Sequence, residues 1–155
     1  MQDDRWREFI AGAELAWFRV FSSSQTMRST MPDGAPIGML PGKFSTRRKI
    51  YRYFRLWFGP RLAKNMLANL PLIERQGRLC VIQFDFPPIS MTPGQVKIER
   101  ANAGTWRLHT TLSGGWPDEQ IRYRVLACPE CRPMIVRRSG AYDDFRYQAS
   151  PHCEE

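Results

Sequence analysis

The stretch "TWRLHTTLSGGWPDEQIRYRVL", residues 105–126, decides the fold class of this sequence. On both sides of the glycine-rich segment 113–115, apolar and polar side chains alternate, as they do from Ile121 to Val125. A period of two places successive side chains on opposite faces of a β-strand, and a short loop between two such runs favours antiparallel pairing. The stretch therefore predicts two neighbouring strands of an antiparallel sheet that has one apolar and one polar face.

The same reasoning extends outward along the chain. Apolar residues recur at helical spacing from Trp6 to Phe21, and Gly59-Pro60 and Pro71 are helix-ending signals. The predicted helices are about 3–21, 46–58 and 61–70, and the predicted strands are about 79–86, 95–100, 105–112 and 120–127. Residues 22–44, rich in Ser, Thr, Gly and Pro, are predicted to form a long surface connector. The fold class is α+β, with N-terminal helices packed on one face of an antiparallel sheet.

Length and composition predict one compact body with a small appendage. The chain has 155 residues, of which 43% are hydrophobic. We predict an α+β body over 1–127 and a small C-terminal β element over 128–155. The apolar run from Phe9 to Phe21 contains Glu14 and Arg19, so it is too short and too charged to span a bilayer. Early acidic residues are untypical of a signal or transit peptide, so we expect a cytoplasmic protein with no membrane partner.

Three of the four cysteines lie together in the C-terminal segment, at Cys128, Cys131 and Cys153. A Cys-x-x-Cys pair on a tight turn brings two thiolates within reach of one tetrahedral ion. We therefore interpret the cluster as metal-binding rather than as a disulfide framework. Cys80, between two apolar neighbours, is predicted to be a buried thiol.

The segment resembles the C-terminal four-cysteine zinc ribbon of bacterial type I DNA topoisomerases. The shared features are the Cys-Pro-x-Cys knuckle at 128–131, the apolar strand at 133–137, the Gly-x-Tyr-x-x-Phe turn at 140–145 and the Pro-x-Cys end at 151–153. The resemblance implies zinc as cofactor. The implied ligands are Cys128, Cys131, His152 and Cys153.

This sequence departs from the ribbon pattern where the third cysteine should stand, because Gln148 occupies that position. His152 is the local substitute, and His109 of the sheet is a second one if the ribbon folds back. Three interpretations stay open: a site of three cysteines and one histidine, a ribbon that folds without metal, and a chance Cys-x-x-Cys pair.

Such ribbons help the topoisomerases to grip single-stranded DNA, through aromatic side chains that stack on bases and basic ones near phosphates. The side chains that the resemblance places in those two roles are Tyr142, Phe145, Tyr147, Arg137, Arg138 and Arg146. The alternative is that the aromatic rings form the small core of the element itself.

The net charge of +8 comes from one segment, since residues 43–78 hold ten basic residues and one acidic residue. Three of these cations, at 47–49, fall in the first turn of the second helix, where they oppose the helix dipole. A sequence selected only for helix stability would carry acids there, so the placement indicates phosphate binding. The predicted nucleic-acid-binding residues are Arg47, Arg48, Lys49, Arg52, Arg55, Arg61 and Lys64.

These features predict a non-enzymatic accessory protein that binds nucleic acid, DNA or RNA, through the basic helical face at 43–78. The alternative from another class is a structural subunit of a larger assembly, whose basic face docks an acidic protein partner. We do not assign an enzymatic activity, because the sequence has no glycine-rich phosphate loop and no Ser-His-Asp order.

A further alternative is a metal-dependent nuclease. Asp85, followed by Gln95 and Lys97, faintly resembles the Asp…(Glu/Gln)-x-Lys core of restriction-endonuclease-like nucleases, in which the carboxylate holds a metal. Alternation places these three on the polar side of the predicted sheet. The other polar side chains predicted on that side are Glu99, Arg107, His109, Arg122 and Arg124.

Overall fold

The structure is a computed structural model that describes residues 2–102, 104–128, 130–140 and 144–149. Within these residues it has three α-helices and nine β-strands, which confirms the α+β class. The helices are α1 (Gln2–Ser22), α2 (Arg47–Phe54) and α3 (Pro60–Ala68), with a 3-10 turn at Gly42–Phe44. The strands are β1 (Gln25–Thr30), β2 (Pro36–Met39), β3 (Leu72–Arg75), β4 (Arg78–Ile82), β5 (Thr92–Pro93), β6 (Lys97–Asn102), β7 (Thr105–Ser113), β8 (Glu119–Leu126) and β9 (Met134–Gly140).

The larger sheet is built on the predicted β7–β8 hairpin. The two strands pair from Thr105 opposite Leu126 to Leu112 opposite Glu119 without a register shift. The other edge of β8 pairs with β9, and the other edge of β7 pairs with β5 and β6, all antiparallel. One face of this sheet is buried, as the alternation requires. Its buried hydrophobic side chains include Leu108, Leu112, Ile121, Tyr123, Val125 and Ile135.

The three helices cover that buried face and form one core with it, as predicted. Trp17 of α1 is at the centre, fully buried, with its ring stacked on Phe21 at 5.3 Å between centroids and edge-on to Phe145 at 5.2 Å. The segment between α2 and α3 is bonded to β9, because Gly59 N–H donates to Ile135 O at 2.8 Å and Ile135 N–H donates to Trp57 O at 2.7 Å. The helical layer and the sheet are thus joined by backbone bonds as well as by side chains.

The predicted connector at 22–44 is wrong, because β1 and β2 both lie within it and belong to a second sheet with the order β1-β2-β4-β3. β1 and β2 pair around a turn in which Gly34, at a φ of +89°, donates to Met31 O at 2.8 Å. β1 is exposed at five of its six positions, so it has no buried face to impose an apolar alternation. Sequence patterning has nothing to detect in such a strand.

The predicted strand at 79–86 is shorter than its apolar alternation suggested, since β4 ends at Ile82. Phe84 and Phe86, read as sheet residues, instead lie against the end of α1. Phe86 packs on Phe18 at 4.6 Å between centroids, and Phe84 packs on Phe21 at 5.1 Å. Packing against a helix satisfies the same alternation that a paired strand would.

Candidate nucleic-acid interface

The two basic helices, α2 and α3, begin at residues that are typical of helix starts. Thr46 is the N-cap of α2, and its hydroxyl oxygen accepts from Lys49 N–H at 3.2 Å. Ile50 and Phe54 bury one face of α2, while Pro60 starts α3 at its first turn. The seven predicted nucleic-acid-binding side chains lie away from the buried faces, and all seven are exposed.

Three of these seven cations have partners within the protein. The ion pair of Arg47 with Glu74, at 3.6 Å, is exposed on both sides and therefore weak. Lys49 Nζ donates to Gly42 O at 2.9 Å and to Ser45 Oγ at 2.8 Å, which fastens the 3-10 turn. Arg55 Nε donates to Phe58 O at 3.0 Å, just beyond α2. These three side chains therefore stabilise the local fold.

The other four cations are Arg48, Arg52, Arg61 and Lys64. Across the described ranges none of them has a hydrogen bond or an ion pair. Arg48 and Arg52 are four residues apart on α2, and Arg61 and Lys64 are three apart on α3, so each pair shares a side of its helix. α2 and α3 pack against each other. The segment therefore presents free positive charge on two neighbouring helices.

The tyrosines between these cations are not open stacking platforms. Tyr53 packs edge-on against Phe44 at 5.0 Å and against Trp57 at 5.1 Å between centroids. Tyr51 is half-buried and lies beneath Arg55, whose guanidinium is 6.0 Å from its ring. The basic helices thus offer charge to a ligand and little aromatic surface.

The zinc-ribbon resemblance is wrong. Cys128 and Cys131 are joined in a disulfide, so neither sulfur is a thiolate ligand, and the preference for metal over disulfide fails with it. In the part of the chain that the structure describes, no group of three or more His, Cys, Asp or Glu side chains is placed to hold a metal. The apolar strand assigned to the ribbon is β9, which pairs with β8 of the main sheet.

Two of the four implied zinc ligands, His152 and Cys153, lie outside the described residues, as does Tyr142. His109, the alternative ligand, is on β7 opposite Lys97 and Arg122. Zinc as a cofactor stays a prediction, but the paired Cys128 and Cys131 are not free to bind it in this structure. Cys80 is buried and free, as predicted, and burial raises the pKa of its thiol.

Arg138 and Arg146, which the resemblance placed near phosphates, are in the interior instead. They belong to a buried charge cluster that we define as Glu14, Tyr123, Arg138, Asp144 and Arg146. The side chains of Glu14 and Arg146 are fully buried, and those of Arg138 and Asp144 are 4% and 7% exposed. Two carboxylates balance two guanidinium groups, so the cluster has no net charge to offer a ligand.

Glu14 is the centre of this buried charge cluster. Its Oε1 accepts from Arg138 Nε at 2.8 Å and from the Tyr123 hydroxyl at 2.5 Å, and its Oε2 accepts from Arg146 Nη2 at 2.9 Å. Arg146 Nη2 also donates to Asp144 Oδ2 at 2.7 Å. Every charged group in the cluster has a partner of opposite sign, which is the condition for burying it.

The cluster holds the described C-terminal turn against the helices. Arg146 binds the α1 residue Glu14. Asn69, the C-cap of α3, donates to Gln148 O at 2.8 Å, and Asn65 of α3 donates to Tyr147 O at 3.3 Å. Sequence reasoning missed this cluster. The available signal was Glu14 itself, a charged residue inside the apolar stripe of α1, between Ile10 and Trp17.

The cluster sets the pKa of its acids. Burial alone raises the pKa of Glu14, but the charges of Arg138 and Arg146 outweigh burial and hold it below the ordinary value. For Asp144 too, the hydrogen bond and charge of Arg146 outweigh burial and lower the pKa. Burial, followed by the charge of Glu14, raises the pKa of Tyr123.

Stability is expected to fall in acid because of these two carboxyl groups. A depressed pKa in the folded state stabilises the protein above the unfolded pKa, about 4, and that stabilisation is lost as the pH falls through the folded value. The free energy of unfolding should be nearly level between about pH 6 and 5 and drop below about pH 4. Urea unfolding across this range measures it. In Glu14→Gln the drop should be shallower, and curves parallel to wild type would contradict the assignment.

The nuclease-like residues are only partly together. Gln95 and Lys97 line a shallow depression of about 140 Å³ on the outer face of the larger sheet, with His109 and Arg122. Asp85 is exposed in the segment that follows β4, outside both sheets, and does not line this depression. The required carboxylate is therefore not in the sheet position that the alternation gave it.

Comparisons with protein-family models and with curated proteins give no match. No described helix has both the length and the apolar character needed to cross a membrane.

Proposed function

We propose that this protein is a non-enzymatic accessory protein that binds nucleic acid through the exposed cations of α2 and α3. The observation that supports the proposal is the set of four cations, Arg48, Arg52, Arg61 and Lys64, that stand exposed with no acidic partner in the described residues. The one acid of the segment, Glu74, is paired with Arg47. The positive surplus of 43–78 is therefore left for an external anion.

The chemistry expected of this surface is contact with phosphate groups rather than with base edges. Its tyrosines are packed against other side chains, and its arginines and lysines attract phosphate groups whatever the base sequence of the nucleic acid. Each phosphate neutralised releases condensed counterions, so the four free cations should contribute roughly −3 to −4 to the salt slope, log K against log [salt], on duplex DNA. Affinity should be alike for unrelated sequences.

The decisive change is the double charge reversal Arg48→Glu with Arg52→Glu. We expect it to weaken binding to duplex DNA about 30-fold at 100 mM salt and to reduce the salt slope by about two, because two phosphate contacts are lost. Electrophoretic shift or fluorescence anisotropy across a salt series measures both quantities. Structured RNA measured in parallel identifies the preferred nucleic acid.

The matched control is Arg19→Glu with Arg28→Glu, which changes the net charge equally at exposed positions on α1 and β1. It should change affinity by less than about threefold, since neither residue belongs to the basic helices. Equal losses in the two variants would reduce the effect to overall charge and contradict a defined face. If wild type binds no nucleic acid at low salt, the proposal fails, and docking of an acidic protein partner takes its place.

The proposed compartment is the cytoplasm. The cytoplasm keeps most thiols reduced. Because Cys128 and Cys131 are both exposed, their disulfide is open to reduction in that compartment. None of the four free cations contacts this pair in the described residues, so the proposed binding does not depend on the disulfide directly.

A further inference from the structure

The outer face of the larger sheet, the face turned away from the helices, carries arginines in direct cross-strand register. Arg107 of β7 is opposite Arg124 of β8, and Arg124 is in turn opposite Arg137 of β9. All three side chains are exposed. The neighbouring row includes β6 as well and runs from Lys97 through His109 and Arg122 to Ser139.

This arrangement is unfavourable for the isolated protein. Side chains directly opposite one another in an antiparallel pair have Cβ atoms about 4.5–5.5 Å apart, and like charges at that distance destabilise the sheet. Glu99, opposite Arg107, is the single carboxylate among the described side chains of this face. No arginine or lysine of the two rows forms an ion pair with a described carboxylate. These cations are Lys97, Arg107, Arg122, Arg124 and Arg137. A ligand with several negative charges would relieve the repulsion.

The face also has the shape of a surface that receives an extended anion. The arginines line an open depression of about 450 Å³, in which polar side chains predominate. From β6 to β9 the face is about 14 Å wide, at about 4.8 Å per strand. This width is comparable to that of the major groove of a DNA duplex, about 12 Å.

Among the described residues of this face, no aromatic side chain is exposed. Tyr123, the tyrosine of the central strand, points inward and bonds Glu14. Trp116 is 85% exposed but belongs to the loop between β7 and β8. Proteins that bind single strands rely on aromatic side chains that stack on free bases. A duplex has its bases already stacked and presents phosphates, which are what arginine recognises.

We propose that this outer face is a second nucleic-acid-binding surface, and that its ligand is the phosphate backbone of a duplex. The inference rests on the proposed function and extends it, because it names the form of the nucleic acid and a surface outside 43–78. Arg124 lies between the like charges of Arg107 and Arg137, so we expect it to contribute most to both the repulsion and the binding.

The test is Arg124→Thr, which removes the middle charge and supplies a residue that favours strands. We expect the Tm to rise by about 1–4 °C, because two like-charge contacts disappear. We expect duplex affinity to fall about fivefold at 100 mM salt and the salt slope to shrink by about one. A damaged fold would lower both stability and affinity, so the opposite signs are the signature.

The matched control is Arg132→Thr, an exposed arginine outside the sheet. It should leave the Tm, the affinity and the salt slope within about 1 °C, twofold and 0.3 of wild type, respectively. Arg107→Thr with Arg137→Thr is the second variant, which should weaken duplex binding at least as much as Arg124→Thr.

The outcomes separate the two proposals. If Arg48→Glu with Arg52→Glu abolishes binding while both sheet variants bind like wild type, the inference alone is overturned. If single strands of equal length bind more tightly than the duplex, the duplex assignment is overturned and the proposed function stands. If only the sheet variants lose affinity, the inference holds and the helical face is refuted. Wild type that binds no duplex at low salt overturns both.

Discussion

Glu14→Ala should lower the free energy of unfolding by about 3–5 kcal/mol, since removing one partner of a buried ion pair leaves the other charge uncompensated. Here two guanidinium groups, those of Arg138 and Arg146, would remain in the core with Asp144 as their one counter-charge. The Tyr123 hydroxyl would also lose its acceptor. Urea denaturation followed by circular dichroism measures the loss as a lower midpoint.

The control for this variant is Glu8→Ala, the same substitution at an exposed position of the same helix. It should change stability by no more than about 0.5 kcal/mol. Glu14→Gln should fall between the two, because an amide retains the shape and an acceptor for Tyr123 but not the charge. Equal midpoints for Glu14→Ala and Glu8→Ala would show that the buried charge cluster does not stabilise the fold.

Gly115→Ala should lower the free energy of unfolding by about 2–3 kcal/mol, through overpacking. A Cβ at this position would overlap the backbone of Ile89 and Ser90. That backbone is held in place, because Gly115 N–H donates to Ser90 Oγ at 3.2 Å and Ser90 Oγ donates to Pro117 O at 2.8 Å. Backbone atoms fixed by hydrogen bonds cannot turn aside as a flexible side chain would.

Gly42→Ala is the matched control, because a Cβ there meets no atom within 4 Å and the backbone is not left-handed. It should be neutral or stabilise by a few tenths of a kcal/mol, since alanine restricts the unfolded chain. Thermal unfolding of the two variants side by side gives the comparison. A Gly115→Ala protein as stable as Gly42→Ala would mean that the loop contacts seen here do not persist in solution.

The elements that sequence reasoning found are those whose side chains alternate between core and solvent. α1, β7 and β8 each bury one face, so their apolar periodicity and approximate bounds were predictable. β1 buries almost nothing and was missed. β9 was recognised as apolar but given a local role in a ribbon, because a strand's own residues do not specify which distant strand it pairs with.

For the candidate nucleic-acid interface too, sequence predicted which side chains are exposed but not which residues they contact. The exposure of the cations on α2 followed from helical spacing, whereas the bonds of Lys49 and Arg55 to backbone carbonyls depend on folded geometry. Arg107, Arg122 and Arg124 were expected on the polar side of the sheet. The alignment of Arg107 and Arg124 with Arg137 emerges only from the register of β8 with β9, which sequence alone did not supply.

The salt bridge between Glu14 and Arg146 spans 132 residues and has a consequence for protein synthesis. At about 5–20 residues per second, a ribosome adds Arg146 roughly 7–26 s after Glu14. During that interval the first helix leaves the exit tunnel with its carboxylate and its aromatic stripe uncovered. A nascent chain should therefore complete this domain only after Arg146 has left the exit tunnel, and holdase chaperones have that interval in which to bind the helix.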